Sequence, residues 1–326
     1  MKKRWKEIDV LYTIGIILVL IGHSHSSDWS SFRGTILEKA ILFIYTFHMP
    51  LFFFISGFLF QNSHSLQERG YGTWIKDKAL RLLTPYLFWS LIAAIPKYYV
   101  ENRSFAGVGE AVLDVFINPR ASVWGHFWFL PVLFLTYVVF VAVRKWIEGW
   151  KRIAAALVVT AVIYFLPINT NIFGLADLHT SLFFFAVGMA ANLFLTENKP
   201  NIPRWGGILW IIAVTAGCVF LTQMAYINSA IGLFVALLMI SVCWITAELI
   251  EIKGWISSHN FTIYIFSWFF QAVMMAICGR LGLNWVITFF AMFGVGLIGP
   301  VIVIFIYEKL PFLHKRGIKL VLGMRG

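Results

Sequence analysis
The chain has 326 residues, of which 60% are apolar, 17% aromatic and 13% charged, and its mean hydropathy is +0.81. Soluble domains carry about a quarter charged residues, so the composition excludes a soluble enzyme, a disordered chain and a nucleic-acid-binding domain. The net charge of +11 then reads as the inward-facing side of a polytopic helical membrane protein.

Ten apolar runs predict spanning helices at 8–24, 40–60, 84–100, 127–143, 153–168, 179–195, 207–223, 229–248, 256–278 and 286–306. A span needs about 17–25 apolar residues, and these runs are continuous, which argues against strands. The third and fifth are the weakest, being short and flanked by Pro96 and Pro167. With the N-terminus placed in the cytoplasm, twenty of the 26 Lys and Arg fall on inner segments and six on outer ones. That bias supports an even number of spans with both ends inside. The first run follows a basic start, Met1 to Lys6, but lacks a small-x-small cleavage site and reads as a retained span. The longest inner segments are 61–83 and the tail 307–326, and the longest outer ones are 25–39 and 101–126. No linker, low-complexity tract or convincing repeat is visible, so 1–326 reads as one membrane domain. Its basic tail is expected to lie on the anionic inner leaflet. Cys218, Cys243 and Cys278 each sit in an apolar run without metal-ligand or redox spacing and read as core residues.

Ionisable groups in or near hydrocarbon are expensive and mark candidate sites. Asp9 opens the first span. It reads either as a partner for an inner basic residue or as an ordinary helix-start carboxylate. His23 ends that span and His48 begins the second, so both fall on the outer half. Either imidazole suits proton abstraction from a hydroxyl, and either equally suits a carbonyl hydrogen bond. Ser56-Gly57 allows close approach of another helix. Lys78 and Arg81, at i and i+3, share a helix face at the end of an inner segment. They fit phosphate binding or simply the inner charge bias. His126 and Trp128, within Trp124-Gly125-His126-Phe127-Trp128, open the fourth span. They fit an interface belt or a sugar-stacking platform. His25 and His64 read as loop residues, and His179, His259 and His314 have no evident partner. No HExxH, CxxC, GxSxG or P-loop pattern occurs.

In order along the chain, these features resemble the type 3 membrane acyltransferases, a largely bacterial group that O-acylates cell-surface glycans. The resemblance rests on Asp9 with Gly22-His23 and on Phe47-His48-Met49-Pro50 through Gly57. Lys78-Ala79-Leu80-Arg81, His126-Phe127-Trp128-Phe129-Leu130, Phe183 through Gly188 and Asn260 through Phe266 follow in turn. Two positions depart from the usual pattern. Tyr12 stands where many members carry a basic residue, and Ser267 where many carry a histidine.

The resemblance implies an all-α bundle of ten transmembrane helices in a bacterial plasma membrane. It implies an acyltransferase that moves an acyl group, usually acetyl, from cytoplasmic acyl-CoA to a sugar hydroxyl outside. The CoA thioester is a co-substrate, and no bound cofactor or metal is called for. The acceptor is an exopolysaccharide, a lipid-linked sugar or peptidoglycan. His23 is then the general base or transient acyl acceptor, and His48 orients it or donates to the oxyanion. Lys78, Arg81 and Asp9 are then the donor-binding residues, with Lys78 and Arg81 on the phosphates, and His126 and Trp128 frame the acceptor. Composition alone fits a transporter or flippase of a glycan or small solute equally. Such a carrier calls for repeated halves and matching broken helices, and neither is visible. A sensing or structural relative without chemistry is the third reading.

Overall fold
All ten apolar runs are helical in the computed structural model, which describes residues 5–26, 29–122, 124–198, 202–227, 229–252 and 254–324. Lys2, Lys3, Arg4, Lys199, Lys253 and Arg325, counted above as inner basic residues, lie outside the described residues. The helices are α1 (Lys6–Gly22), α2 (Ile36–Gln61), α3 (His64–Arg69), α4 (Tyr71–Asn102), α5 (Val108–Ile117), α6 (Phe129–Ala142) and α7 (Trp150–Tyr164). They continue with α8 (Leu175–Asn198), α9 (Arg204–Ile227), α10 (Ser229–Leu249), α11 (Trp255–Arg280), α12 (Trp285–Lys309) and α13 (Arg316–Leu322). No strand occurs among the described residues. The chain is a polytopic helical membrane protein.

Among the described residues eight helical segments are long and apolar enough to cross a membrane, α6 only together with the 3-10 turn at 125–128 that leads into it. The other two that match predicted runs, α1 and α7, have 17 and 15 residues. At 1.5 Å per residue each is somewhat shorter than a hydrocarbon core of about 30 Å. The third run is not short: it belongs to the 32-residue α4, which contains both Pro85 and Pro96. Spanning helices tolerate proline where neighbours satisfy the freed backbone groups. The inner segment 61–83 is mostly helix, so Lys78 and Arg81 lie inside α4, and His64 opens α3 rather than a loop. The outer segment 101–126 contains α5, and the basic tail forms α13.

The chain divides into two compact units. The first contains residues 1–52, 201–319 and 324–326, and the second 53–200 and 320–323, so α2 contributes to both. In the first unit α1 packs against α10, α11 and α12, while α9 packs on α10 and α11 on α12. Glycines set the approach of α2: a Cβ at Gly15 would lie 2.7 Å from the Phe52 ring, and one at Gly22 2.9 Å from the Tyr45 ring. Phe32, Leu37 and Ile41 form a buried cluster joined by Tyr45, Trp285 and Phe289. The three cysteines are buried thiols on α9, α10 and α11.

In the second unit α6 packs on α4 and α8, α7 on α8 and α5 on α4. The α2–α8 crossing is backbone against backbone. A Cβ at Gly57 would overlap the Phe185 carbonyl, and one at Gly188 the Phe54 carbonyl. Small residues permit such contacts between spanning helices, as Ser56-Gly57 suggested. Phe60, Trp74, Tyr137, Phe140 and Phe185 then meet in one buried aromatic cluster drawn from α2, α4, α6 and α8.

Candidate functional site
α1 stops at Gly22 because His23 leaves helical geometry (φ −102°, ψ 2°) while its N–H still bonds the Val19 carbonyl at 3.1 Å. The terminal carbonyls that a helix end leaves over are taken up by side chains. Ser24 Oγ donates to Leu20 O at 2.6 Å, and Gln271 Nε2 donates to Leu20 O and to Ser24 Oγ, each at 3.0 Å. The Tyr45 hydroxyl donates to Gly22 O at 2.7 Å. Gln271 and Ser24 are almost wholly buried, and Gln271 Oε1 is buried without a hydrogen-bond partner. Gly296 of α12 makes room for the Gln271 side chain, since a Cβ there would lie 2.9 Å from it.

This turn presents the half-buried His23 among rings. Trp268 lies 5.2 Å away between centroids and Tyr45 6.5 Å away, and Tyr45 is in turn 5.3 Å from His48. His48 and His25 both lie within electrostatic reach of His23. His48 is buried, and its Nδ1 bonds Ile44 O at 2.9 Å. A carbonyl only accepts, so Nδ1 carries the proton, and neutral His48 keeps its lone pair on Nε2. His25, beyond the helix, bonds Ser26 O at 2.7 Å, and burial pushes its imidazole below the usual value.

The structure therefore brings His23 and His48 to one place, with Tyr45, Trp268, Gln271 and Ser24 as neighbours that the sequence did not single out. Gln271 and Ser24 are polar residues in apolar runs, the one sequence signal that would have flagged them. Tyr45 and Trp268 carry no such mark among the chain's many aromatics.

The remaining candidates settle differently. Asp9 accepts from Ser257 Oγ at 2.9 Å in the first turn of α11, so its carboxylate ties α1 to α11 at a positive helix end. Lys6 pairs with Glu251, and that hydrogen bond holds the Glu251 carboxyl below its usual value. Tyr12 packs on Phe52 at 6.4 Å, and the buried Ser267 donates to Tyr264 O at 3.4 Å. His259 bonds Trp255 O at 2.9 Å and faces Glu308 at 3.9 Å, while His314 bonds Tyr307 O at 2.9 Å. His179 bonds Leu175 O at 3.3 Å.

In the second unit Lys78 Nζ sits 4.7 Å from the centre of the Trp74 ring and 4.4 Å from that of Tyr137. Arg81 is exposed but within electrostatic reach of both Lys78 and Tyr137. His126 and Trp128 lie on a 3-10 turn, Gly125–Trp128, ahead of α6. His126 packs against Trp124 and Phe127 at 5.4 and 4.2 Å. One face of Trp128 is already covered: the Arg120 guanidinium lies 4.1 Å above it and grips the Asp177 carboxylate with Nε (2.9 Å) and Nη2.

Residues 5–306 match the family model described as an acyltransferase domain. The nodulation protein NolL of Sinorhizobium fredii (strain NBRC 101917 / NGR234) is 26% identical over 216 residues, which is 65% of this chain and 56% of that protein. The nodulation protein NolL of Mesorhizobium japonicum (strain LMG 29417 / CECT 9101 / MAFF 303099) is 26% identical over 160 residues, 46% of this chain and 41% of that protein. The chain thus spans about half the length of these curated relatives. No solved structure matches it.

Proposed function
Because the chain belongs to the type 3 membrane acyltransferase family, we propose that it transfers an acyl group, acetyl in the first instance, from cytoplasmic acyl-CoA to a carbohydrate hydroxyl on the outer side of the cell membrane. The observation that carries this reading is the placing of His23 beside His48 and Trp268 on a turn fixed by Tyr45, Ser24 and Gln271.

His23 takes the proton of the acceptor hydroxyl as its oxygen attacks the thioester carbonyl. The C–S bond breaks, and the CoA thiolate leaves and recovers that proton. In the covalent variant the imidazole nitrogen attacks the thioester first and the CoA thiolate leaves with the imidazole's proton; the hydroxyl then attacks the acyl-imidazole, the C–N bond breaks, and the freed imidazole takes the hydroxyl's proton. Both routes need His23 neutral at the start. His48 suits the orienting role better than the oxyanion role. With Nδ1–H committed to Ile44 O, its neutral form offers a lone pair rather than a second donor. Lys78 and Arg81 hold the donor's phosphates. Asp9, a carboxylate already engaged by Ser257, holds the helices rather than the anion. His126 and Trp128 line the acceptor side.

The test is acyl-CoA consumption by purified protein in lipid, wild type beside His23→Ala, with a panel of exopolysaccharides, lipid-linked sugars and peptidoglycan fragments. Glycan-dependent release of CoA that disappears in a folded mutant supports the reading. Equal turnover by the two proteins removes His23 from the chemistry.

A further inference from the structure
We propose that Arg144 and Lys78 together form one binding site for an anion with more than one phosphate group, floored by Phe60, Trp74 and Tyr137. Arg144 follows α6 and is only 9% exposed. Its Nη1 donates to Gln61 Oε1 at 3.0 Å and its Nη2 to Gln61 O at 3.2 Å, at the C-terminal end of α2. Those bonds use two of five guanidinium N–H groups and neutralise none of the charge. Glu148, four residues on and exposed, acts on Arg144 only through space. Among the described residues no carboxylate lies within ion-pairing distance of Arg144 or of Lys78. Three other cations have carboxylate partners: Lys6 with Glu251, Arg69 with Asp77 and Arg120 with Asp177.

A buried charge without a counter-ion is costly. Aromatic faces and a helix C-terminus return part of that cost, and both appear here. The Arg144 guanidinium lies 5.4 Å from the Phe60 ring centre, and Phe60 touches Trp74 (5.6 Å) and Tyr137 (6.3 Å), the two rings beneath Lys78. The Arg144 guanidinium, which has no carboxylate partner among the described residues, and the Lys78 amine rest on the same aromatic cluster, and both offer donors to an external anion. Arg offers the planar fork that grips phosphate at two points, Lys a point charge, and the exposed Arg81 adds charge beside Lys78. The site deepens the donor side of the proposed function and rests on that reading only for the ligand's identity: acyl-CoA carries a diphosphate and a separate 3′-phosphate.

Binding of CoA, 3′-dephospho-CoA and inorganic pyrophosphate to the full chain in lipid nanodiscs tests the proposal. Arg144→Gln should weaken CoA binding by roughly tenfold to a hundredfold, the loss expected for hydrogen bonds to a charged group. It should also erase any preference for CoA over its dephosphorylated form, and Arg144→Lys should restore part of the affinity. Gln61→Ala removes the side-chain hydrogen bond from Arg144 but keeps the bond to the Gln61 carbonyl and the charge, so it should lower Tm and leave CoA affinity unchanged. If Arg144→Gln likewise lowers Tm and leaves CoA affinity unchanged, Arg144 is only a structural residue and the proposal falls. Should Arg144→Gln not fold, unchanged CoA affinity in both Arg144→Lys and Lys78→Gln overturns it equally. Binding of pyrophosphate but not CoA, dependent on Arg144, keeps the anion site and removes the acyl-CoA reading. Wild type that binds none of the three overturns the site.

Discussion
Around His23 the polar side chains are hydrogen-bonded to helix ends or to one another, whereas the basic side chains of Lys78 and Arg144 rest on aromatic rings. The first arrangement fixes the turn that carries His23 and the direction of the His48 ring, which proton transfer requires. The second keeps charge in a place where it is expensive, which makes sense only if a ligand shares the cost. The contrast separates a region built to move a proton from one built to hold an anion, and mutation of each should fail in its own way.

The largest effect is expected at His23. His23→Ala should lower turnover by about 10²- to 10⁴-fold, the usual contribution of a positioned acid–base group, with CoA affinity unchanged. Lys78→Gln should do the reverse, raising the KM for acyl-CoA. A mutant of either region that shifts both quantities would merge the two roles and break the comparison. Next in size are the glycines of the α2–α8 crossing. Gly188→Ala or Gly57→Ala forces a methyl into a backbone carbonyl, and overpacking of this kind costs about 1–3 kcal/mol or more. Thermal unfolding should show the loss clearly, while Gly217→Ala, whose Cβ meets nothing within 4 Å, should leave Tm near wild type. Smaller again is Gln271→Leu. It removes the donor to Leu20 O and Ser24 Oγ while filling the same volume, and should cost about 1–3 kcal/mol in stability or positioning. If Gln271 holds the His23 turn, kcat falls while the acyl-CoA KM stays. If it is only packing, Tm falls and kcat does not.

The span pattern was legible because hydrocarbon demands continuous apolar helix, and each predicted run contains one. Lengths were less legible. Prolines suggested that the run at 84–100 is short, yet α4 carries Pro85 and Pro96 inside 32 residues. The polar segment before it looked like loop but continues the same helix. His23 and His48 stood out because a histidine in an apolar run is rare. Their meeting depended on Gly22, whose missing side chain lets Tyr45 pack against the end of α1, and no spacing rule expresses that. Arg144 was counted only as one more inner charge. Its burial comes from the 3-10 turn Arg144–Trp146 and the aromatic cluster beside it, not from any local motif.

The smallest expected effect tests the outer candidates. Arg120 and Asp177 form a partly exposed pair, with side chains 46% and 14% exposed, and such pairs contribute about 0–1 kcal/mol. Replacing both by neutral amides, Arg120→Gln with Asp177→Asn, should therefore leave Tm almost unchanged. The pair also lies over Trp128, so the double change loosens the cover on that ring. If Trp128 is a stacking platform for sugar, the acceptor KM should fall, because a face once shared with a guanidinium becomes available to the ligand. If Trp128 belongs to an interface belt, its rings anchor the helix end at the headgroups and the acceptor KM should not move. A rise in KM would mean a third arrangement, in which the guanidinium itself contacts the acceptor and the ion pair holds it in place.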